Sequence, residues 1–270
     1  EKFLHLVSLN TLPAIIKGFF AYMIFTGKIS INLESAFSVF SLSIFSSAFL
    51  TFLLPKEYKG VKINFSEVKK YVKKSYPAGI SQLIYEGWPS ISNSIAKIAK
   101  DFSNVGIFSI AEKIANVLLL GSISIFTVLL PKNAYVKKQK GKYDFKEIFI
   151  ISGLILVLAF FGIFISKIFV SDFFGEKFAD SLPLLSFLIF ASAFTSIHVF
   201  MEHYFYIEQK TNYIMYINLA KLVSFLALSW ILVPTLSLKG LSLSNLISAI
   251  LALIATTILI RKNQKTLAKN

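Results

Sequence analysis

Six side chains stand where their neighbours make them conspicuous. Lys17, Glu86, Trp88, Glu112, Lys113 and Lys221 all fall inside long apolar stretches. A lipid-facing charge at mid-depth of a bilayer costs about 2.5–3.5 kcal/mol even on the lenient insertion scale, so such groups face a bundle interior or a watered cavity. Three lysines against one or two glutamates give that cavity net positive character. It would suit an anionic substrate such as a diphosphate.

Each residue also has a plainer reading. Glu86 or Glu112 could pair with Lys113 and serve helix packing. Lys97, near a helix end, can snorkel to the interface. Trp88 could be a packing or interface aromatic rather than a platform for stacking a sugar. Lys17 and Lys221 are harder to dismiss, because the nearest interface is more than two turns away. No other chemistry competes. The chain has no cysteine, and its three histidines, His5, His198 and His203, form no HExxH-type spacing. There is no catalytic, metal or cofactor candidate.

The elements that must position these side chains are eight apolar stretches: Phe3–Thr26, Leu33–Leu54, Tyr76–Ile98, Val105–Leu130, Ile148–Val170, Leu182–Ile207, Asn212–Val233 and Leu241–Ile260. About 20 apolar residues cross the hydrocarbon core as a helix. Of the 270 residues, 55% are hydrophobic and only 16% charged, where a soluble domain is nearer a quarter charged. The expected fold is an all-α polytopic membrane protein with eight transmembrane helices.

The net charge of +14 reports topology rather than nucleic-acid binding. Lysines crowd alternate gaps: Lys56 to Lys74, Lys132 to Lys146, Lys210, and a tail with Arg261, Lys262, Lys265 and Lys269. The other gaps hold few charges, among them Lys28, Lys100, Asp101, Asp172, Asp180 and Lys239. The positive-inside rule makes the basic gaps and both ends of the chain cytoplasmic, in contact with anionic lipid headgroups. In residues 55–75, Val68, Tyr71 and Val72 share a face opposite lysines, which fits a surface helix or a solvated linker. Pro13 and Pro89 mark kinks, and Gly79 and Gly87 could allow close helix approach.

Three stretches resemble the Wzx-type flippases of polysaccharide and lipid-linked oligosaccharide biosynthesis, in the MOP (MATE-like) superfamily. In Tyr76–Lys132 the pattern reads Val105, Gly106, Phe108, Ala111, Lys113, Ile114 and Pro131. Phe173–Ala191 resembles the loop between that family's ninth and tenth helices. Ile231–Ile254 resembles the entry to the last helix, with Gly240 kept and Leu236 and Ser244 where glycine or alanine is commoner.

The resemblance implies a domain plan. Residues 1–54 would be the last two helices of an N-terminal lobe, 55–75 a basic amphipathic cytoplasmic linker, 76–260 a complete C-terminal six-helix lobe, and 261–270 a basic cytoplasmic tail. The chain would be the C-terminal part of a longer plasma-membrane protein. The function implied is alternating-access flipping of a polyprenyl-diphosphate-linked oligosaccharide, with no enzymatic step. Lys17, Lys113 and Lys221 would neutralise the diphosphate, and Glu86 or Glu112 would couple an ion gradient. The glycan polymerase machinery is the implied protein partner. A multidrug or organic-cation exporter of the same superfamily is the alternative, and the lysine excess argues against it. A membrane glycan polymerase or glycosyltransferase needs a large outer loop with paired carboxylates, which the sequence lacks.

Overall fold

The computed structural model describes residues 65–99, 102–141, 143, 145–174 and 180–267, and parts of the first fifty (15–20, 22–23, 26–29, 34, 38–39, 41–43, 45–46 and 49). The chain divides into two units, Glu1–Lys69 and Lys70–Asn270. Most of the first two apolar stretches, Pro13 and residues 55–64 lie outside the described residues.

Every regular element among the described residues from 65 onward is helical: α1 (Phe65–Ala99), α2 (Phe102–Lys140), α3 (Lys146–Phe174), α4 (Leu182–Ile207) and α5 (Thr211–Leu267). The stretches Val105–Gln139, Lys146–Ser166, Leu182–Ile207 and Thr211–Thr266 are long and apolar enough to cross a membrane. α1 is not among them, because Ser, Asn and Gln dilute its second half. The sequence separates the linker 55–75 from a span starting at Tyr76. In the structure α1 runs unbroken from Phe65 through that boundary. Pro77 removes one amide donor there, but the carbonyl it orphans belongs to exposed Lys73, where solvent or headgroups can satisfy it.

α4 is the axis of the lobe. It packs on α2, α3 and α5, and it is buried along most of its length. Phe200 stacks on Phe126 of α2 with ring centroids 4.2 Å apart. Large apolar side chains on the outer faces of α2, α3 and α5, such as Val128, Phe149, Ile165 and Ile231, are exposed. That is the surface a lipid solvent requires.

α5 folds back on itself. Pro234 interrupts the ladder, and Ser237 adopts φ 54°, ψ −133°. The turn is so tight that a Cβ on Gly240 would stand 2.2 Å from the Leu232 carbonyl oxygen. Two arms result, 211–236 and 238–267. They run antiparallel: Lys210, just before the first arm, donates to Asn263 near the end of the second. Asn218 and Thr256, equally far along the chain from Ser237, both reach His198. The seventh and eighth apolar stretches are these two arms.

α4 ends in a Schellman motif. Gln209 takes φ 55°. The Lys210 amide donates to the Phe205 carbonyl (2.8 Å) and the Gln209 amide to that of Tyr206 (3.1 Å). Other elements meet this turn. Lys137 Nζ of α2 pairs with Glu208 Oε1 at 2.5 Å. Lys74 Nζ of α1 donates to Gln209 Oε1 at 3.5 Å. The Asn263 amide donates to the Tyr204 hydroxyl at 2.7 Å. The basic ends of α1, α2 and α5 thus gather at one end of the lobe.

A candidate cavity and the polar network behind it

Each site begins with a polar residue that its helix turns inward. On α2, Phe108, Ala111 and Ala115 recur at helical spacing and are fully packed, and Glu112 beside Ala111 is carried into the lobe with 4% exposure. Its neighbour Lys113, one step around the helix, points outward and is exposed. On α5, Lys221 lies on the face that holds Asn218 and Phe225 against the lobe, and it is 3% exposed. On α1, Tyr85 and Trp88 face inward, whereas Glu86 is exposed and accepts from Gln82 Nε2 at 2.8 Å.

Trp88, Glu112 and Lys221 therefore line one pocket, together with Tyr85, Asn116 and Asn245, of about 60 Å³. That is room for a few waters or one small polar group. Lys221 Nζ donates to Thr195 Oγ1 at 3.0 Å and stands 4.6 Å from the centroid of the Trp88 ring. Trp88 also packs on Phe225, with centroids 4.7 Å apart. An ammonium has three donors, and Thr195 takes one, so Lys221 keeps capacity for an anion. Glu112 Oε1 is buried with no hydrogen-bond partner among the described residues. Of the six residues singled out in the sequence, three meet here. Glu86 and Lys113 face elsewhere, and Lys17 lies on the exposed side of residues 15–20 in the first unit.

Behind the pocket lies a network that the sequence reading did not single out. Glu202, 2% exposed, and His198, fully buried, sit one turn apart on α4. Glu202 Oε2 accepts from the Tyr85 hydroxyl at 3.2 Å and Oε1 from Asn218 Nδ2 at 2.7 Å. His198 Nε2 is 3.2 Å from both Glu202 Oε1 and Asn218 Oδ1, and Nδ1 is 2.9 Å from Thr256 Oγ1. Glu202 lies more than a turn before Ile207 closes the span, so it is an intramembrane charge like the charges singled out. The spacing of His198 and Glu202 on one helix face was the available signal. Asn218, Thr256 and Tyr85 carry none by themselves. Among the described residues, no cluster of His, Asp and Glu could hold a metal ion.

No protein-family model matches the chain. It is 27% identical over 246 residues to the capsular polysaccharide biosynthesis protein CapF of Staphylococcus aureus, covering 87% of this chain and 61% of that protein. The fold matches a crystal structure of MATE in the straight conformation, with a TM-score of 0.62 and 19% identity, over 99% of this chain and 63% of that one. The chain thus spans less than two thirds of the length of each. The first finding agrees with the polysaccharide context of the resemblance read from the sequence, and the second with its MATE-like fold. With its apolar helices, the chain is a multi-pass membrane protein with the fold of a MATE transporter.

Proposed function

We propose that the chain is the C-terminal part of a flippase that moves a polyprenyl-diphosphate-linked oligosaccharide across the plasma membrane by alternating access. The observation that carries this reading is Lys221. A lysine on an apolar helix is costly to bury, and here it is held in a pocket with donor capacity unspent. Such a group is suited to phosphoryl oxygens, and removing it should weaken substrate contact rather than the fold. The polysaccharide context is supported by the printed name of the relative at 27% identity.

In this reading the described lobe has six spans, counting the two arms of α5, and residues 1–54 add two of the opposing lobe. The basic end gathered around Glu208 and Gln209 faces the cytoplasm and anionic lipids. The glycan and diphosphate cross between the lobes while the lipid tail stays in the bilayer. Lys113 points away from the pocket and is not assigned to the substrate, and Glu112 is better placed than Glu86 to respond to an ion. Glycan polymerase machinery would receive the product.

One observation favours the cation-exporter reading: a buried carboxylate, Glu112, beside Tyr85 and Trp88 in the same pocket. The test uses the full-length protein in proteoliposomes with a fluorescent polyprenyl-diphosphate oligosaccharide and, separately, a cationic dye. Glycan-lipid movement that falls in Lys221→Ala supports the flippase. Dye export with no glycan-lipid movement would sink it.

A further inference from the structure

α2 and α3 each pack on α4 but barely touch one another. The gap between them is a trough of about 510 Å³, floored by Ile189 of α4. One face of each helix supplies a wall: Ile114, Leu118 and Gly121 recur at helical spacing on α2, and Ile151, Leu158 and Gly162 on α3. Both walls fall inside the stretches Val105–Gln139 and Lys146–Ser166, so the trough opens at hydrocarbon depth. Its volume lies in the range of about 300–1,000 Å³ found for sites that hold a small ligand.

The lining decides the chemistry. Among the described residues it carries no charge, and its two serines have spent their hydrogens. Ser122 Oγ donates to the Leu118 carbonyl at 2.8 Å, and Ser166 Oγ to that of Ile163 at 3.0 Å. Neither has a hydrogen left for a ligand, so the trough recognises hydrocarbon and not a headgroup. Left empty, its walls would forfeit their dispersion contacts, and an apolar space does not hold water.

The shape of the walls narrows the choice of chain. Glycine inside a helix is disfavoured relative to alanine, and membrane helices use it to bring backbones together. That is not its use here. A Cβ on Gly121 would meet nothing within 4 Å, and one on Gly162 only Ile189 Cγ2 at 4.0 Å. The glycines instead leave notches in the walls. Phe160, Phe161 and Phe164 of α3 all stay out of the trough, and no aromatic fills it among the described residues. A smooth leucine wall would serve a straight acyl chain. Notches suit a chain with a methyl branch on every repeat.

We propose that the trough between α2 and α3 seats the isoprenoid chain of a polyprenyl-phosphate lipid. The inference rests on the proposed flippase reading for its substrate and gives the tail of that substrate a place. α2 divides the trough from the polar pocket: Glu112 and Asn116 face the pocket, and Ile114 and Leu118, at the same depth, face the trough. The charged and apolar halves of one lipid thus find their partners on two sides of a single helix, about 10–12 Å across.

The test reads binding rather than transport. The full-length protein, in nanodiscs of phosphatidylglycerol and phosphatidylethanolamine, is irradiated with a polyprenyl monophosphate carrying a diazirine in its chain. A parallel sample receives phosphatidylglycerol with the diazirine in an acyl chain, and adducts are mapped by mass spectrometry. At equal mole fraction the polyprenyl probe is expected to label the trough about tenfold more, a preference worth about 1.4 kcal/mol, and unlabelled polyprenyl phosphate is expected to compete. Gly121→Leu and Gly162→Leu fill the notches and are expected to abolish the preference. Gly153→Leu, on the far side of α3 and equally open at its Cβ, is expected to keep it. Equal labelling by the two probes, or stronger labelling by the acyl probe, overturns the proposal on the wild type alone. A preference that survives both leucines overturns it as well. A selectively labelled trough in a protein that moves no glycan-lipid would remove the flippase reading and leave the trough assigned. Glycan-lipid movement with an unselective trough would do the reverse.

Discussion

Lys221 Nζ lies 4.6 Å from the centre of the Trp88 ring, with Thr195 Oγ1 3.0 Å away as its hydrogen-bond acceptor. The ring face and the hydroxyl together hold an ammonium out of water without neutralising it. A cation–π contact of this kind contributes roughly 1–2 kcal/mol when desolvated, and it leaves the charge free to meet an anion. If the proposed flippase reading holds, Lys221→Ala lowers glycan-lipid movement by roughly 10- to 100-fold, the equivalent of one charge-assisted hydrogen bond of about 1.5–3 kcal/mol. Lys113→Ala, on the exposed side of α2, is expected to have the smaller effect. Equal losses in the two variants would remove the pocket's special status.

The gathering of basic helix ends around Glu208 and Gln209 predicts sidedness. The chain has no native cysteine, so single cysteines can be read without background. Lys138→Cys and Gln209→Cys are expected to react with an impermeant maleimide only when the cytoplasmic face is open. Asp180→Cys and Lys239→Cys are expected to react from the opposite face. Labelling of both pairs from one side would break the alternation that underlies the topology.

How much of this was legible in the sequence depends on the kind of signal. Apolar runs located α4 and the first arm of α5 to within about three residues, because length and hydropathy act through the solvent and need no partner, whereas the second arm continues past Ile260 to Leu267, into the basic residues expected as a tail. Gly240 was noted as the surviving glycine of a pattern, and the structure gives its reason in the approach of the Leu232 carbonyl. The family-like run from Val105 to Ile114 turns out to hold packing residues, with Phe108 and Ala111 fully buried. The charges were harder. Glu112 and Lys113 are adjacent in sequence, yet one is buried and the other exposed, because successive side chains on a helix differ by about 100°. Of the His198 network only the one-turn spacing of His198 and Glu202 is legible in the sequence, since Tyr85, Asn218 and Thr256 lie on other segments and Asn and Thr carry no depth signal.

The two ion pairs at the basic end differ in burial, and that should decide their worth. Lys137 and Glu208 have side chains 25% and 11% exposed, whereas Lys132 and Glu147 are 56% and 34% exposed, both pairs at 2.5 Å. Exposed pairs contribute about 0.2–1 kcal/mol, less as salt screens them. A double-mutant cycle on thermal stability in detergent is expected to give about 1 kcal/mol for Lys137–Glu208 and less than about 0.5 kcal/mol for Lys132–Glu147. The first pair also joins α2 to the turn after α4, so its loss should show as earlier local opening at that end. A larger coupling for the exposed pair would mean that proximity, not burial, sets the energies here.

The hairpin in α5 makes opposite predictions for two neighbouring positions. At Gly240 the obstacle is steric: a methyl group would meet the Leu232 carbonyl oxygen at 2.2 Å, and backbone cannot swing aside as a side chain can. Gly240→Ala is expected to cost about 3 kcal/mol or more, at or above the upper range for overpacking, and to show as a lower melting temperature or failed folding. At Ser237 the obstacle is conformational, because φ 54° with ψ −133° is a region that L-residues occupy only under constraint. Ser237→Gly removes that constraint, and the gain of about 1 kcal/mol exceeds the extra entropy of the unfolded chain. It is therefore expected to leave the melting temperature unchanged or raised. A tolerated Gly240→Ala together with a damaging Ser237→Gly would show that the arms do not turn as described. The antiparallel contacts from Lys210 to Asn263 and from Asn218 and Thr256 to His198 would then need another path for the chain.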